Sequence, residues 1–306
     1  MTTPTRRGLV VMAYGTPRSP EDIEPYYTHI RRGRPPTPEL LADLIARYEA
    51  IGGISPLAQL TEAQRSTLQD RLDEREPDRW VVVLGQKHAA PFIEDAVAEL
   101  ADQGITEAVG LVLAPHFSGF SVGEYQRRAA TTGDERDVHL HAVERWHLEP
   151  AYLDFLTTVT GDALASMPDR TTVLFTAHSL PERVLVDDPY PDELTESARI
   201  VAERLGLESW SIAWQSAGRT PEPWRGPDVL DEIRRIAAEG SADGVVVCAQ
   251  GFTADHLEVL YDLDIEAAQV AASVGLAFGR TRSLNDDTAV MDALAALVVE
   301  TARAAS

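Results

Sequence analysis

Short apolar runs rich in β-branched residues alternate along this chain with segments whose apolar positions recur every three or four residues. The runs predict strands over 9–13, 80–84, 108–114, 140–143, 172–177, 210–214 and 245–249. Stretches this brief and this uniformly apolar suit a sheet covered on both faces. The segments between them predict helices with legible ends. Ser19-Pro20-Glu21-Asp22 offers an N-cap, a proline at the first helical position and acidic first-turn residues. Thr37-Pro38-Glu39 repeats that signature ahead of a helix stopped by Gly52-Gly53. Pro91 and Pro191 open helices ending near Gly104 and Gly206, and 287–304 reads as a closing helix.

Strands separated by helices give parallel sheets with helices on both faces, so the fold class is α/β. The alternation restarts near Thr171 after a helix over 150–167. Two similar three-layer domains with a cleft between them are therefore predicted: 1–150, then 151–285, with a C-terminal helix over 286–306 packing back on the body. Ligands of open parallel sheets bind beyond the carboxyl ends of the strands. The loops after Ala13, Leu84, Ala114, Ala177, Trp214 and Ala249 are the places to look for chemistry.

Composition narrows the function. The 306 residues are 44% hydrophobic and 25% charged, as in a globular protein. With 27 basic against 49 acidic residues the net charge is −22, which argues against a nucleic-acid partner. The single cysteine, Cys248, lies in an apolar strand and reads as a small core hydrophobe. One cysteine provides neither an internal disulfide nor an iron–sulfur cluster. The apolar run after Arg6-Arg7 stops at Tyr14-Gly15-Thr16-Pro17, shorter than a signal core, and no run approaches a membrane span. A cytoplasmic location is expected. Gly-x-Gly-x-x-Gly, the phosphate-binding Gly-x-x-x-x-Gly-Lys and Gly-x-Ser-x-Gly are all missing.

The strand-end loops carry Tyr14, Lys87-His88, His116-Phe117-Ser118, His178-Ser179-Leu180-Pro181 and Asp255-His256-Leu257-Glu258. Only eight histidines occur in the chain, and four fall at or just past strand ends. One such histidine is more often a structural hydrogen-bonder than a ligand; several near one place shift that balance. His178 is the best placed, since a rigid strand holds it and Leu180-Pro181 turns the chain away. A neutral imidazole there would ligate Fe²⁺ or accept a proton. In a regular helix Glu258, Asp262 and Glu266 share one face at i, i+4 and i+8. That is either a solvated face or a carboxylate path for a divalent cation. Arg31, Arg32 and Arg34, with Arg47 one helix later, stand out in so acidic a chain. They would stabilise a helix C-terminus, or grip the carboxylates of an anionic ligand.

Together these stretches resemble the ferrochelatase family, in the short monofunctional branch of Gram-positive bacteria that acts on coproporphyrin III. The resemblance runs over nearly the whole chain. It is most specific in Met12-Ala13-Tyr14-Gly15-Thr16-Pro17, Tyr27-Thr28-His29-Ile30-Arg31-Arg32-Gly33-Arg34, Tyr48-Glu49-Ala50-Ile51-Gly52-Gly53-Ile54-Ser55-Pro56-Leu57, Ala177-His178-Ser179-Leu180-Pro181 and Ala254-Asp255-His256-Leu257-Glu258-Val259-Leu260-Tyr261-Asp262. It implies a chelatase-like fold of two Rossmann-like domains, each a doubly wound, parallel four-stranded sheet. It implies a lyase of haem biosynthesis that inserts Fe²⁺ into coproporphyrin III.

By that resemblance His178 and Glu258 are the inner metal-handling and catalytic pair, and Tyr14 stands on the opposite side of the porphyrin. Arg31, Arg47, Tyr48, Ser55 and Tyr125 surround the macrocycle and its propionates. Asp262 and Glu266 fall where the family has an outer hydrated metal site, suited to Mg²⁺. Lys87, His88 and Trp224 match cleft positions. Fe²⁺ is a substrate, and no resident cofactor is implied. The expected partners are porphyrin and Fe²⁺, with no nucleic acid and no integral membrane association, for a monomer touching its pathway enzymes transiently. Gly119 departs from the family pattern, as does Cys248-Ala249-Gln250. Two alternatives stay open: a chelatase for another tetrapyrrole, such as protoporphyrin IX or sirohydrochlorin, and a non-catalytic tetrapyrrole carrier.

Overall fold

The computed structural model describes residues 6–305, which fall into two units. The first comprises 6–115, 119–146 and 285–305; the second comprises 116–118 and 147–284.

The first unit is built on β1 (Arg7–Ala13), β2 (Trp80–Gln86), β3 (Glu107–Val112) and β4 (His139–Val143), all parallel in the order β2-β1-β3-β4. From Leu9 through Met12, β1 has no exposed surface, as a central strand covered on both faces requires. Helices α3 (Leu57–Arg75) and α11 (Thr288–Ala304) pack together on one face, and α4 (Ile93–Asp102) and α5 (Val122–Arg136) on the other. Between β1 and α3 the chain makes α1 (Ile23–Ile30) and α2 (Pro38–Ala50). The caps act locally. Thr37 Oγ1 accepts from the Leu40 amide at 3.4 Å to start α2, and Asp287 accepts from Val290 at 3.4 Å to start α11. The Ser19-Pro20 start differs from expectation: 20–22 form a single 3₁₀ turn before α1, closed by Ser19 and Asp22.

The second unit repeats the topology. Its strands β5 (Thr171–His178), β6 (Trp210–Gln215), β7 (Gly244–Cys248) and β8 (Ala277–Arg280) are parallel in the order β6-β5-β7-β8. Strand β8 was not expected. Helices α6 (Pro150–Leu164) and α7 (Tyr190–Leu205) pack together, while α8 (Val229–Glu239) packs with α10 (Ala268–Ser273). Helix α7 ends where Gly206 takes φ 62°, the left-handed turn that only glycine adopts cheaply. Cys248 is fully buried in β7, and burial pushes its thiol up to about 11, so it stays a neutral core residue.

Each sheet has a central strand flanked on both sides by strands that come after it in sequence. In such a topology the connections leave the carboxyl end of the sheet in opposite directions, opening a crevice there. The central strands are β1 and β5. Tyr14 directly succeeds the first, and His178 is the last residue of the second.

Among the described residues no helix is long and apolar enough to cross a membrane.

The acidic segment after β7 departs from a regular helix. One α-helical turn, α9 (Leu257–Leu260), runs into a π-helical turn, Asp262–Ala267, and then into α10. The Glu266 amide donates to the carbonyl five residues back, Tyr261, at 3.0 Å. The wider π turn rotates later residues backwards around the axis, so Glu258, Asp262 and Glu266 do not form the straight i, i+4, i+8 ladder.

Candidate active site

In the second unit His178 and Glu258 meet. His178 Nε2 lies 3.6 Å from Glu258 Oε1, although 80 positions separate the residues. Strand β5 is buried up to His178, and Gln215 at the end of β6 fixes the next residue: its carbonyl accepts from the Ser179 amide at 2.8 Å. His178 Nδ1 lies 2.5 Å from the Ser179 carbonyl. A carbonyl only accepts, so Nδ1 carries hydrogen and Nε2 is the nitrogen turned to Glu258. The Tyr190 hydroxyl donates to the His178 carbonyl at 3.2 Å, pinning the backbone as well.

Glu258 faces a second imidazole that the sequence did not single out as a site residue. His256 Nε2 stands 3.6 Å from Glu258 Oε2, and its Nδ1 donates to the Ala254 carbonyl at 2.9 Å. Both rings thus anchor Nδ1 on a backbone carbonyl and aim Nε2 at one carboxylate. The sequence signals for His256 were its place in the loop beyond the seventh predicted strand and two residues before Glu258. Distances of 3.6 Å are too long for good hydrogen bonds. Two ligand atoms on arms of ~2.1 Å around one cation sit about that far apart. Among the described residues no three histidine, cysteine, aspartate or glutamate side chains form a cluster able to hold a metal. Each oxygen of the Glu258 carboxylate faces one imidazole.

This packing sets the electrostatics. Burial disfavours the charged form of His178, but Glu258 outweighs it, helped by the Ser179 carbonyl and Asp262, and the pKa is raised. Burial also pushes Glu258 up, yet His178 and His256 win and hold its carboxyl well below the usual range. The two side chains keep 35% and 34% of their surface open. Each of the two groups therefore favours the charged form of the other. Gln215 Nε2 donates to the Glu258 carbonyl at 3.0 Å, and Ser216 Oγ donates to Asp262 Oδ2 at 2.5 Å. Ser216 does so from φ 59°, a left-handed conformation uncommon for serine. Within the π turn Asp262 is buried and Glu266 half-buried. Trp224 donates through Nε1 to Thr220 Oγ1 at 2.9 Å.

In the first unit Tyr14 is 42% exposed, and its ring lies 4.6 Å from that of His88. His88 Nδ1 is 3.0 Å from His29 Nδ1. Burial, then Lys87, then His29 lower the His88 pKa to about 3, so the ring is neutral. Lys87 pairs with Glu124 at 2.8 Å and lies 5.2 Å over the Tyr125 ring. The residues expected around the macrocycle differ in accessibility. Arg31 stacks 5.6 Å over Tyr27, and Arg47 pairs with Asp43 at 3.4 Å along α2. Tyr48, Ser55 and Tyr125 are only 2%, 4% and 4% exposed. Ser55 Oγ accepts from the Leu57 amide at 3.2 Å.

Similarity to known proteins agrees with this chemistry. The sequence profile of the family described as Ferrochelatase matches residues 6–302. A coproporphyrin III ferrochelatase of Bacillus pumilus (strain SAFR-032) is 48% identical over 302 residues, covering 96% of this chain and 97% of its own. That of Bacillus subtilis (strain 168) is 47% identical with the same coverage. Among solved structures, Bacillus subtilis SirB with Fe³⁺ superposes with a TM-score of 0.59 at 12% identity, over 97% of this chain and 96% of that one. CbiX, described as the terminal enzyme of sirohaem biosynthesis in denitrifying bacteria, gives 0.57 at 13%, over 98% and 100%. These two share the fold: paired four-stranded parallel sheets of the chelatase kind. A profile matched from end to end and relatives near half identity place this chain in the ferrochelatase family.

Proposed function

We propose that this chain is a coproporphyrin III ferrochelatase, inserting Fe²⁺ into coproporphyrin III to give Fe-coproporphyrin III and two protons in haem biosynthesis. The observation that carries the reading is the convergence of His178 and His256 on the Glu258 carboxylate. A planar porphyrin keeps its nitrogen lone pairs in the ring plane and holds two N–H protons. Binding that saddles the ring turns lone pairs toward one face, at the expense of binding energy.

The pKa directions divide the labour within the pair. Glu258, held ionised, is a weak base and a good oxygen ligand; His178, whose pKa is raised, is the stronger base. Fe²⁺ would arrive at Glu258 and the Nε2 of His178 once that nitrogen has lost its proton. As four Fe–N bonds form, the two pyrrole protons leave, one to the vacated His178 and the other through the Glu258–His256 side to solvent. Fe²⁺ is the substrate in this scheme. Asp262 and Glu266 would serve an outer hydrated cation such as Mg²⁺, with Asp262 already held by Ser216. The same reading places the protein in the cytoplasm as a monomer.

An anaerobic assay with Fe²⁺ and either coproporphyrin III or protoporphyrin IX tests the proposal. Faster metallation of coproporphyrin III is expected. Preference for protoporphyrin IX would transfer the reading to that substrate, and tight haem binding with no metallation would leave only a carrier.

A further inference from the structure

Arg280, the last residue of β8, uses every nitrogen of its guanidinium. Nε and Nη2 make a two-pronged contact with Asp264 at 2.5 and 3.0 Å. Nη2 also lies 3.3 Å from Asp255 Oδ1. Nη1 donates to the Thr281 carbonyl at 2.9 Å and to Ser283 Oγ at 3.4 Å, and Ser283 donates in turn to Asp255 at 2.7 Å. The arginine side chain is only 15% exposed.

The two carboxylates it joins bracket the chemistry. Asp255 directly precedes His256, and Asp264 lies within the π-helical turn beyond Glu258. The segment between them is not self-supporting. Helix α9 is a single four-residue turn, too short to be stable alone, and the π turn is a sparsely used geometry. From the β6 side Gln215 and Ser216 hold it at the Glu258 carbonyl and at Asp262. From the β8 side the hold is Arg280. An exposed ion pair contributes little, but a planar fork on one carboxylate that also reaches a second fixes position as well as charge.

We propose that Arg280 is a positioning residue for metal handling: by clamping Asp255 and Asp264 it sets the placement of the short helix and π turn that present His256 and Glu258. The inference rests on the proposed function only for its kinetic readout. Arg280 acts through Asp255 and Asp264, and its polar contacts fall on these and on Thr281 and Ser283 rather than on Glu258 or His256.

The test uses the full chain with Arg280→Met, Arg280→Lys and Asp264→Asn. Three quantities are compared with wild type: thermal midpoint, affinity for Co²⁺ without porphyrin by calorimetry and visible absorption, and the separate KM values for Fe²⁺ and coproporphyrin III. Loss of the clamp should weaken Co²⁺ binding and raise the Fe²⁺ KM by about 10- to 100-fold. The porphyrin KM should hold within about twofold, well below that range. Arg280→Lys keeps the charge without the fork and should fall between. If Arg280→Met does not fold, Arg280→Lys and Asp264→Asn decide by the same criterion. A lowered thermal midpoint with Co²⁺ affinity and Fe²⁺ KM unchanged would make Arg280 a stability residue and overturn the proposal. Should wild type bind Co²⁺ yet metallate no porphyrin, the proposed function fails, and the Co²⁺ comparison alone still decides Arg280.

Discussion

His256 Nε2 stands 3.6 Å from Glu258 Oε2, the carboxylate oxygen opposite the one that faces His178. The two histidines are therefore not equivalent copies. His178 ends the central strand of its sheet, and its ring is held from the strand side. His256 lies in a loop, at the N-cap position of α9, with its side chain making no capping bond. Alanine at His178 should lower kcat by about 10²- to 10⁴-fold, the range for loss of a proton acceptor. Alanine at His256 should cost about 10- to 100-fold, the range for a group that orients a ligand. Porphyrin affinity, read from the absorption shift on titration, should survive in both. Equal losses in the two variants would contradict the division of roles.

The same pair governs the pH dependence. His178 must shed its proton before Nε2 can take a metal, so kcat/KM for Fe²⁺ should rise with pH through the raised His178 pKa. Stability runs the other way for this residue. A raised folded pKa stabilises below the unfolded value of about 6.5 and loses that contribution as pH climbs through the folded pKa. Glu258, with its pKa lowered, stabilises above its ordinary 4.5 and loses that as pH falls. The pair should therefore stabilise the unmetallated protein most between about 4.5 and 6.5. Thermal midpoints measured across that range should show a hump in wild type that Glu258→Gln flattens. An unchanged profile in that variant would mean the ion pair does not form in solution.

His88 gives an independent check in the other unit. Its pKa of about 3 reflects burial beside Lys87 and His29. By NMR its ring protons should not titrate between pH 8 and about 4, unlike those of an ordinary histidine near 6.5. The unfolded chain takes up a proton there that the folded one refuses. His88 thus removes stability as pH falls from about 6.5 toward 3. Replacing it with asparagine should shallow that acid limb. A histidine titrating near 6.5 at this position would show the ring to be hydrated rather than packed between Tyr14 and His29.

Seven strands were legible in the sequence because they rest on strong local signals, whereas the joining of His178 to Glu258 was implied by the resemblance to a family. The strands are apolar and β-branched, and the two residues sit at ends of elements that such runs define. Strand β8 was not legible. It is four residues, Ala277–Arg280, all half-buried, with a glycine inside and no apolar alternation. Its sheet pairing with β7 comes from tertiary context, which is why the arginine it carries drew no notice. The π turn was hidden for a related reason. One extra residue in one helical turn leaves the spacing of apolar positions almost unchanged, while it moves Glu266 off the face shared by Glu258 and Asp262. The acidic run also read as uniform, yet Asp255 and Asp264 are taken up by Arg280 and Asp262 by Ser216.

The placement of His178 also depends on a close approach behind it. Gly251, just past β7, donates its amide to the Thr176 carbonyl at 3.0 Å. A β-carbon on Gly251 would overlap that of Ala177 and lie 2.8 Å from the Ala177 α-carbon, nearer than packed atoms come. Ala177 is the residue before His178, so the strand end must move to make room. Gly251→Ala should destabilise the protein by about 1–3 kcal/mol through overpacking. It should also lower kcat, because an imidazole displaced by a fraction of an ångström no longer meets Glu258. Ala177→Gly removes the β-carbon overlap and leaves the lesser crowding against the α-carbon of residue 177. The double variant should therefore recover stability and activity beyond the sum of the two single changes, as residues in direct contact do. Chemical denaturation and steady-state rates on the four proteins measure the coupling, and simple additivity would show that Gly251 does not support the strand end.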